Sequence, residues 1–425
     1  MPASESTASY LRRGGLALIA VGLAGFFADY LFNVGLARVL PPHEYGDFRV
    51  AAAFAAFFGV AVLLGGDRAA PKALAGPLER GETARAWEYL RFYFELALGL
   101  WLVLAALTWT ASYLHVGHVD PKDHHAIAWV VLIVPFSAAG ALVSRALQSA
   151  KRPVLASWPW RIGVPLLSLV LLAVLAWIRQ GRRILVQEAV LVAMASVVVV
   201  TAAQWWLLRR LDLPTLGRDP ASRTPRLWVT ASMPMMGAFL VMLALNQSDL
   251  YFLELLGEEH EVGHYAAAAT SAHFLLIVQT ALVGLVAPLT QPALERGREA
   301  FESTFRQSQR LMLSAVVPVA AVLWLGATPI LGLFGPSFVN AVPVLDLLTA
   351  SNLAWAVAAL SVLRLQYTGH GPWIIFIAFA ALVADSLGNL LLIPTYGMQG
   401  AAASTLATTI LAAAAVLAAR RRLGA

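Results

Sequence analysis

Long apolar segments alternate with short polar ones along the whole chain. Runs of about 20 mainly apolar residues recur about twelve times, and each can cross ~30 Å of hydrocarbon at about 1.5 Å per helical residue. None of them alternates strictly between polar and apolar positions, as a strand of a membrane barrel would. The pattern therefore predicts an all-α integral membrane protein with about twelve transmembrane helices.

The predicted spans fall into two sets of six. The first set comprises residues 14–40, 46–66, 91–114, 126–148, 154–177 and 186–208. The second set comprises residues 228–256, 262–288, 311–334, 342–365, 372–393 and 399–419. The segment between the sets is basic and contains prolines, which favours a linker. We therefore expect an N-terminal six-helix lobe over residues 1–207, a cytoplasmic linker over 208–227 and a C-terminal six-helix lobe over 228–425.

The distribution of positive charge predicts the orientation of these spans. The chain is 59% hydrophobic and 13% charged, with a net charge of +6. Most of its 30 lysines and arginines fall in alternate connecting segments, which the positive-inside rule assigns to the cytoplasm together with both termini. The exception is IRQGRR, residues 178–183, which either tolerates its charge outside or shows that the fifth or sixth span is misdrawn. Because topology explains the net charge, we expect no nucleic-acid partner.

Features of enzymes and of metal sites are weak in this sequence. The chain has no cysteine, which excludes disulfides, thiol catalysis and thiolate metal sites. It has no Gly-rich phosphate loop and no paired histidines with a glutamate at zinc-protease spacing. The segment HVGHVDPKDHH, residues 115–125, holds four histidines but without a fixed helical spacing, and we interpret it as an outside loop. We therefore expect no catalytic residue, cofactor or metal.

Two short segments about half a chain apart resemble each other. HEYGDFRVAAA, residues 43–53, and HEVGHYAAAAT, residues 260–270, share a histidine, a glutamate, a glycine, an aromatic residue and alanines in register. Each lies at the join between the first two spans of its set. The correspondence predicts that the two six-helix bundles are related by a parallel repeat, an arrangement found in transporters.

Four motifs and a proline carry a resemblance to a known family. LARVLPPHEYGDF, residues 36–48, resembles the first extracytoplasmic turn of oligosaccharide-lipid flippases in the multidrug/oligosaccharidyl-lipid/polysaccharide exporter superfamily. DLYFLELLGEEHEVGHYAAA (249–268), Pro288, LFGPSF (333–338) and LLIPTYGMQGAAAST (391–405) resemble second-half motifs of the same family, in the same order. The resemblance covers nearly the whole chain. It implies the exporter-superfamily fold of two six-helix bundles.

The resemblance also implies a function and partners. The chain would flip a polyprenyl-diphosphate-linked oligosaccharide from the cytoplasmic to the outer leaflet of a bacterial inner membrane by alternating access. The product would serve surface polysaccharide assembly, such as O-antigen or exopolysaccharide. Implied partners are the lipid-linked oligosaccharide, membrane lipids, polysaccharide polymerase machinery and coupling H+ or Na+.

Three alternatives remain open beside this flippase. Two share the fold, namely a cation-coupled multidrug exporter and a flippase for the peptidoglycan-precursor lipid. A membrane glycosyltransferase or polymerase acting on the same lipid carrier would belong to another class. Such enzymes usually need a large outside loop or an acidic motif near the surface, whereas the longest outside loop predicted here is residues 115–125.

Arginines within the apolar spans are candidates for binding a diphosphate. An ionised side chain at the centre of a membrane helix costs about 2.5–3.5 kcal/mol on insertion scales, so its presence requires a reason. Arg161, Arg49 and Arg145 could grip a diphosphate through the planar fork of the guanidinium group. The resemblance implies a cationic cavity between the lobes for this purpose. The alternative for Arg161 is an interfacial anchor in a tryptophan belt with Trp158 and Trp160.

Carboxylates within the spans are candidates for ion coupling. Asp29, Asp249 and Asp385 could each carry a proton or a sodium ion during transport. The alternative is a structural role in which each carboxylate bonds to an arginine or to a nearby asparagine, namely Asn33, Asn246 or Asn389.

Overall fold

The computed structural model describes residues 7–79, 83–114, 126–150, 152–210 and 225–422. These residues form helices and short connections, and no β-strand occurs among them. The helices of the first half are α1 (Thr7–Val39), α2 (Pro42–Ala61), α3 (Gly66–Glu79), α4 (Thr83–Tyr113), α5 (Ala126–Val130), α6 (Val134–Ser149), α7 (Pro153–Trp158), α8 (Val164–Arg179) and α9 (Val186–Arg210). Those of the second half are α10 (Pro225–Leu256), α11 (Glu259–Glu295), α12 (Arg298–Leu325), α13 (Ala327–Gly332), α14 (Val342–Tyr367) and α15 (Gly371–Arg422).

The helices agree with the predicted membrane spans. In the described residues, ten helical segments are long and apolar enough to cross a membrane, and α2 with the start of α3 forms an eleventh, bent by 43°. The 52-residue α15 consists of two helices joined across Gly397, whose φ of 53° and ψ of −134° are not helical. Each of the twelve predicted spans overlaps one of these helices. The prediction of an all-α multi-pass membrane protein is confirmed.

The basic turn at residues 178–183 does not displace its neighbouring spans. Helix α8 ends at Arg179 and α9 begins at Val186, close to the predicted ends. Gln180 and Gly181 reverse the chain with φ values of 47° and 82°. Arg179 forms an ion pair with Glu188, whose carboxylate also accepts a hydrogen bond from the backbone N–H of Leu185 at 3.1 Å. The turn therefore tolerates its charge because part of it is neutralised locally.

The chain divides into two compact units. Unit 1 comprises Met1–Leu40 with Asp47–Leu240, and unit 2 comprises Pro41–Gly46 with Val241–Ala425. The division falls inside α10. Residues 211–224 of the predicted linker lie outside the described residues, so the linker over 208–227 and the lobe limits at 207 and 228 stay predictions.

Each unit has its own apolar core. In unit 1, side chains from α3, α4, α6 and α9 pack together around the fully buried Leu63, Leu74 and Leu147. In unit 2, α11, α12 and α14 pack around Met312 and Leu275. Lipid is as apolar as these side chains, so close packing rather than hydrophobic burial stabilises the contacts between membrane helices.

The join between α1 and α2 is tighter than its sequence suggests. Helix α1 ends at Val39 and α2 begins at Pro42, so most of the HEYGDF motif is helical. Proline is favoured at the first position of a helix, where its missing N–H would have no partner. Inside unit 2, Tyr45 of this motif packs edge-on against Phe334 and Phe338, at ring distances of 6.3 and 5.8 Å. Two of the motifs that carry the family resemblance are therefore in contact.

Two glycines at equivalent positions of the repeat contact each other inside unit 2. A Cβ atom built on Gly46 would lie 2.8 Å from the backbone N of Gly263. A Cβ atom built on Gly263 would lie 1.9 Å from the carbonyl O of Pro42. Both glycines are required because the backbones approach too closely for any side chain.

We predict that Gly263→Ala lowers the free energy of unfolding by about 1–3 kcal/mol, because the added methyl group overpacks the contact with Pro42. Gly284→Ala is the matched control on the same helix, where an added Cβ meets nothing within 4 Å. That control should leave stability unchanged or raise it by up to about 1 kcal/mol. Thermal unfolding of the purified protein, followed by tryptophan fluorescence, measures both. Equal melting temperatures for the two variants would contradict the prediction.

Candidate functional site

A cluster of buried polar side chains lies in unit 2, where α10, α11 and α15 meet. Its central members are Asp249, Asp385 and Asn389, which are 9%, 2% and 0% exposed. Asp249 belongs to α10, whereas Asp385 and Asn389 lie one turn apart on α15. Two carboxylates with so little access to water need several partners to be stable there.

Asp249 has three hydrogen-bond donors around its carboxylate. Asn389 donates through Nδ2 to Oδ1 at 2.9 Å, and Thr405 donates through Oγ1 to Oδ2 at 2.7 Å. The hydroxyl of Tyr265, on α11, donates to the same Oδ2. These bonds connect three helices through one carboxylate.

Asp385 has a similar set of donors. Ser248 donates through Oγ to Oδ2 at 2.8 Å, and Asn389 donates through the same Nδ2 to that oxygen at 3.1 Å. Ser404 donates to Oδ1 at 3.2 Å. The amide nitrogen of Asn389 thus bridges the carboxylates of Asp249 and Asp385.

The kink in α15 brings the members of this cluster together. Gly397 reverses the chain, so that the arm containing Asp385 lies beside the arm containing Ser404 and Thr405. A Cβ atom built on Gly388 would lie 2.2 Å from Oγ of Ser404, which shows how closely the arms pack. The motif LLIPTYGMQGAAAST is therefore the turn that folds one half of the cluster onto the other.

The chemistry of the cluster favours a small hard cation or a proton. Among the described residues, the hydrogen-bond partners of Asp249 and Asp385 are uncharged side chains and each other's carboxyl group, and none of them is a cation. Two carboxylates that accept from one amide nitrogen repel each other unless one is protonated or a cation lies between them. The buried Oδ1 of Asn389 has no hydrogen-bond donor, so it adds a free acceptor to an all-oxygen set. Oxygen ligands of this kind suit hard cations.

Asp29 lies in unit 1, in a different arrangement. Asn33, which is 1% exposed, donates through Nδ2 to the backbone O of Asp29 at 2.8 Å and to its Oδ2 at 3.2 Å. Arg49 donates through Nη1 to Oδ1 of Asn33 at 2.8 Å. An amide therefore links the predicted coupling residue Asp29 to the predicted diphosphate-binding residue Arg49.

Arg161 lies on a π-helical turn between α7 and α8, formed by Pro159–Gly163. Its side chain is exposed, and its backbone packs against α1, where a Cβ atom built on Gly25 would lie 2.8 Å from the Arg161 carbonyl O. Such turns insert one residue into a helix and are frequent at functional sites. The exposed side chain follows α1, where a Cβ atom built on Gly22 would lie 3.8 Å from Nη1 of Arg161.

Trp160, beside Arg161, is half-buried in unit 1, and the tryptophan-belt alternative for Arg161 stays a prediction. Its Nε1 donates to Oε1 of Gln204 at 2.7 Å, and its ring lies where a Cβ atom on Gly140 would be. Gln204 is 1% exposed. The irregular turn places Trp160 inside unit 1 while Trp158 stays 43% exposed. Trp160 therefore packs within unit 1, whereas Trp158 remains at its surface.

The three predicted arginines do not form one cluster. Arg161 packs at the level of Gly25 on α1, whereas Arg49 bonds at the level of Asn33, about 12 Å further along that helix. Arg145 lies on α6 and donates to Oε1 of Gln148 at 2.8 Å. No hydrogen bond joins any two of the three in the part of the chain that the structure describes.

Sequence reasoning missed several members of the acidic cluster. Tyr265, Thr405, Ser248 and Ser404 donate hydrogen bonds to the two carboxylates, but hydroxyl groups in apolar helices usually bond to their own backbone and give no signal. Three of them, Tyr265, Ser404 and Thr405, lie in the HEVGHYAAAAT and LLIPTYGMQGAAAST motifs, which contributed only to the repeat and to the family resemblance. The histidine-rich segment, residues 115–125, lies outside the described residues. Elsewhere in the described chain, no group of three or more His, Cys, Asp or Glu side chains is arranged to hold a metal.

Comparison with known proteins identifies the family. Residues 11–293 match the model of the family described as "Polysaccharide biosynthesis protein". No curated protein matches the chain.

Several solved structures have a fold similar to that of this chain. The lipid II flippase MurJ, in an inward closed conformation, aligns over 96% of this chain and 87% of its own, with 13% identity and a TM-score of 0.73. An inward-facing multidrug resistance MATE transporter of the MOP superfamily covers 96% and 98%, with 15% identity and a TM-score of 0.73. A MOP superfamily transporter from Pyrococcus furiosus covers 99% of both chains, with 17% identity and a TM-score of 0.67.

The chain is therefore a multi-pass membrane protein with the fold of the flippase and exporter structures described above. The family match covers more than half of the chain, and the resemblance seen in the sequence motifs is confirmed. The chain belongs to the polysaccharide biosynthesis protein family.

We predict that Asn389→Ala destabilises unit 2 by about 1–3 kcal/mol, because both carboxylates lose a buried donor and face each other directly. Asn246→Ala is the matched control on α10, since Asn246 is exposed and donates only to the backbone O of Met242 on its own helix. It should change stability by less than about 0.5 kcal/mol. Thermal unfolding of the purified variants measures the difference, and a loss in the control as large as in Asn389→Ala would contradict the assignment.

Proposed function

We propose that this protein flips a polyprenyl-diphosphate-linked oligosaccharide from the cytoplasmic to the outer leaflet of a bacterial inner membrane. Its family and its fold are those of lipid-linked flippases and exporters. The match of residues 11–293 to a polysaccharide biosynthesis family is the observation that carries the proposal, because it favours a saccharide-bearing lipid over a drug. Transport proceeds by alternating access, with both termini in the cytoplasm, and supplies surface polysaccharides such as O-antigen or exopolysaccharide.

Arg161 and Arg49 bind the diphosphate in this proposal, each at a different point of its path. Arg161 is exposed on its π-helical turn, and no side-chain hydrogen bond holds its guanidinium group among the described residues. An arginine kept without a partner in a membrane helix costs free energy, which an anionic ligand would offset. The amide of Asn33 orients one terminal nitrogen of Arg49 and leaves the other free for an acceptor. Arg145, further away on α6, contacts the same lipid at another point of its path.

The acidic cluster of unit 2 couples transport to H+ or Na+. Asp249 and Asp385 share a donor and have no positively charged partner among the described residues, so a bound proton or cation would stabilise them. Asp29 senses the state of the diphosphate site through Asn33 and Arg49. The structural alternative, in which asparagines only hold the carboxylates in place, accounts for the same hydrogen bonds and differs in predicting no ion dependence.

The other candidates have less support. Similarity to MurJ and to MATE transporters lies at 13–17% identity, which shows the fold and leaves a peptidoglycan-precursor flippase or a drug exporter as alternatives. A cationic drug would be repelled by an exposed arginine, which favours an anionic substrate. The family is one of transporters rather than enzymes, and no observation favours a membrane glycosyltransferase or polymerase. A polymerase would instead act as a partner that uses the flipped lipid.

We predict that deleting the gene in its host makes lipid-linked oligosaccharide accumulate, and that the intact chain relieves the accumulation. Arg161→Ala should fail to relieve it at equal expression, because the diphosphate loses a charge-assisted contact. Arg182→Ala, in the exposed turn after α8, is the control and should relieve it fully. Lipid extraction with mass spectrometry measures the intermediate. An absence of accumulation on deletion would reject the flippase, and full relief by Arg161→Ala would reject the role of Arg161.

We predict that sodium ions raise the melting temperature of the purified protein if Na+ is the coupling ion. The gain follows from binding to the folded state alone, and it amounts to about 2.7 kcal/mol at a hundredfold excess over the dissociation constant. Replacing sodium chloride with choline chloride at equal ionic strength should remove it, as should Asp249→Asn. Asp29→Asn, in unit 1, is the control that should retain it. A protein that responds to neither sodium nor pH, with or without Asp249, would favour the purely structural role.

A further inference from the structure

The break between α2 and α3 is held by specific side chains of unit 1. Leu64 and Gly65 adopt positive φ values of 45° and 80°, so the backbone cannot continue as a helix there. Ser232 donates through Oγ to the carbonyl O of Leu64 at 2.7 Å, and Tyr89 donates through its hydroxyl to the carbonyl O of Gly66 at 2.7 Å. Irregular backbone within a membrane protein persists where other groups satisfy its polar atoms, and such breaks often line binding sites.

The break places a buried ion pair at the start of α3. Asp67 is only 2% exposed, and its Oδ2 lies 3.1 Å from Nε of Arg68. The guanidinium carbon of Arg68 lies 3.4 Å from the ring centre of Phe239, on α10. A carboxylate therefore lies beside one edge of the guanidinium group, and an aromatic ring packs against its face. The ring contact restricts the plane of the group.

The opposite edge of this guanidinium group remains available. Asp67 lies beside Nε, which makes no hydrogen bond, and none of the hydrogen bonds found among the described residues is donated by Nη1 or Nη2 of Arg68. The side chain of Arg68 is 24% exposed, which is enough to admit a ligand at that edge. A guanidinium group that is already restricted by its neighbours loses little conformational entropy when it binds a phosphate through two parallel hydrogen bonds.

A second arginine supplements this charge. Helix α6 packs against α3, and Arg145 interacts electrostatically with both Asp67 and Arg68. Asp67 neutralises only one of the two arginines, so the group carries an excess positive charge. The second arginine, Arg145, is half-buried, and its charge beside the ion pair costs free energy that a bound anion would offset.

We propose that Arg68 and Arg145 form a binding site for the diphosphate of an isoprenoid-linked lipid, with Asp67 and Phe239 as positioning residues. This inference takes the identity of its ligand from the proposed function, and it adds a contact point separate from Arg161 and Arg49. The basic segment after α3 is predicted to be cytoplasmic, so the site would receive the lipid on the side where it is made. In this proposal the diphosphate is the ligand of Arg145 as well as of Arg68.

Binding of farnesyl diphosphate to the purified full-length protein tests the proposal. Arg68→Gln should weaken binding about tenfold or more, the loss expected for a charge-assisted contact. Arg68→Lys keeps the charge but not the fork and should also weaken it. Arg91→Gln is the control, because it removes the same charge from an exposed pair with Glu95 and should change affinity less than about twofold.

Phe239 tests positioning separately from charge. Phe239→Leu should weaken binding with no change in its salt dependence, since no charge is lost. Phe239→Tyr keeps the aromatic face and should restore the affinity. If Phe239 had only a structural role, Phe239→Tyr would bind no more tightly than Phe239→Leu when the two variants have equal melting temperatures.

The results of this binding experiment can be distinguished from those of the accumulation experiment that tests the flippase proposal. Equal affinity of the intact chain, Arg68→Gln and Arg68→Lys, with all three folded by circular dichroism, would overturn the site whatever the cellular experiment shows. Tighter binding of farnesyl diphosphate than of inorganic pyrophosphate would assign the site to a lipid, whereas equal affinities would assign it to a free diphosphate. Arg68-dependent binding in a chain whose deletion causes no accumulation would retain the site and reject the oligosaccharide.

Discussion

The amide of Asn389 is the contact on which unit 2 depends, because it satisfies two buried carboxylates from different helices at once. Inside a membrane no water is available to replace a missing partner, so each polar group must be satisfied by another part of the protein. In unit 1 the amides of Asn33 and Gln204 satisfy polar side chains at two points of the interior in the same way. Amides suit this role because one side chain both donates and accepts.

Three of the candidate sites lie at breaks in helices, whereas Asp29 and Arg49 lie within continuous helices. Arg161 lies on a π-helical turn, Arg68 follows the break between α2 and α3, and the acidic cluster depends on the kink at Gly397. A continuous α-helix uses all of its interior backbone polar groups and presents only side chains. A break costs stability and requires supporting side chains, as where Ser232 donates to the carbonyl O of Leu64.

The charges divide between the units in a way that matches the proposed function. The candidate arginines belong to unit 1, and the pair of carboxylates with uncharged partners belongs to unit 2. An anionic lipid and a coupling cation would then bind different parts of the protein. Asp29, linked to Arg49 by Asn33, is the acid that departs from this division, and its role would be to respond to the arginine rather than to bind the cation.

The sequence alone determined the fold class and the family, because the length of apolar segments and the turn motifs are local properties of the chain. It also indicated Asp249 and Asp385, because charged residues are rare in apolar helices and each can be recognised individually in the sequence. Only the tertiary structure decided which residues meet. Asn389 bridges two carboxylates, Gly46 contacts Gly263, and Arg68 pairs with Asp67 against Phe239, although the sequence pattern assigned Arg68 to a loop. Such contacts join residues far apart in the chain through helix packing and backbone breaks, and neither leaves a periodic signal in one sequence.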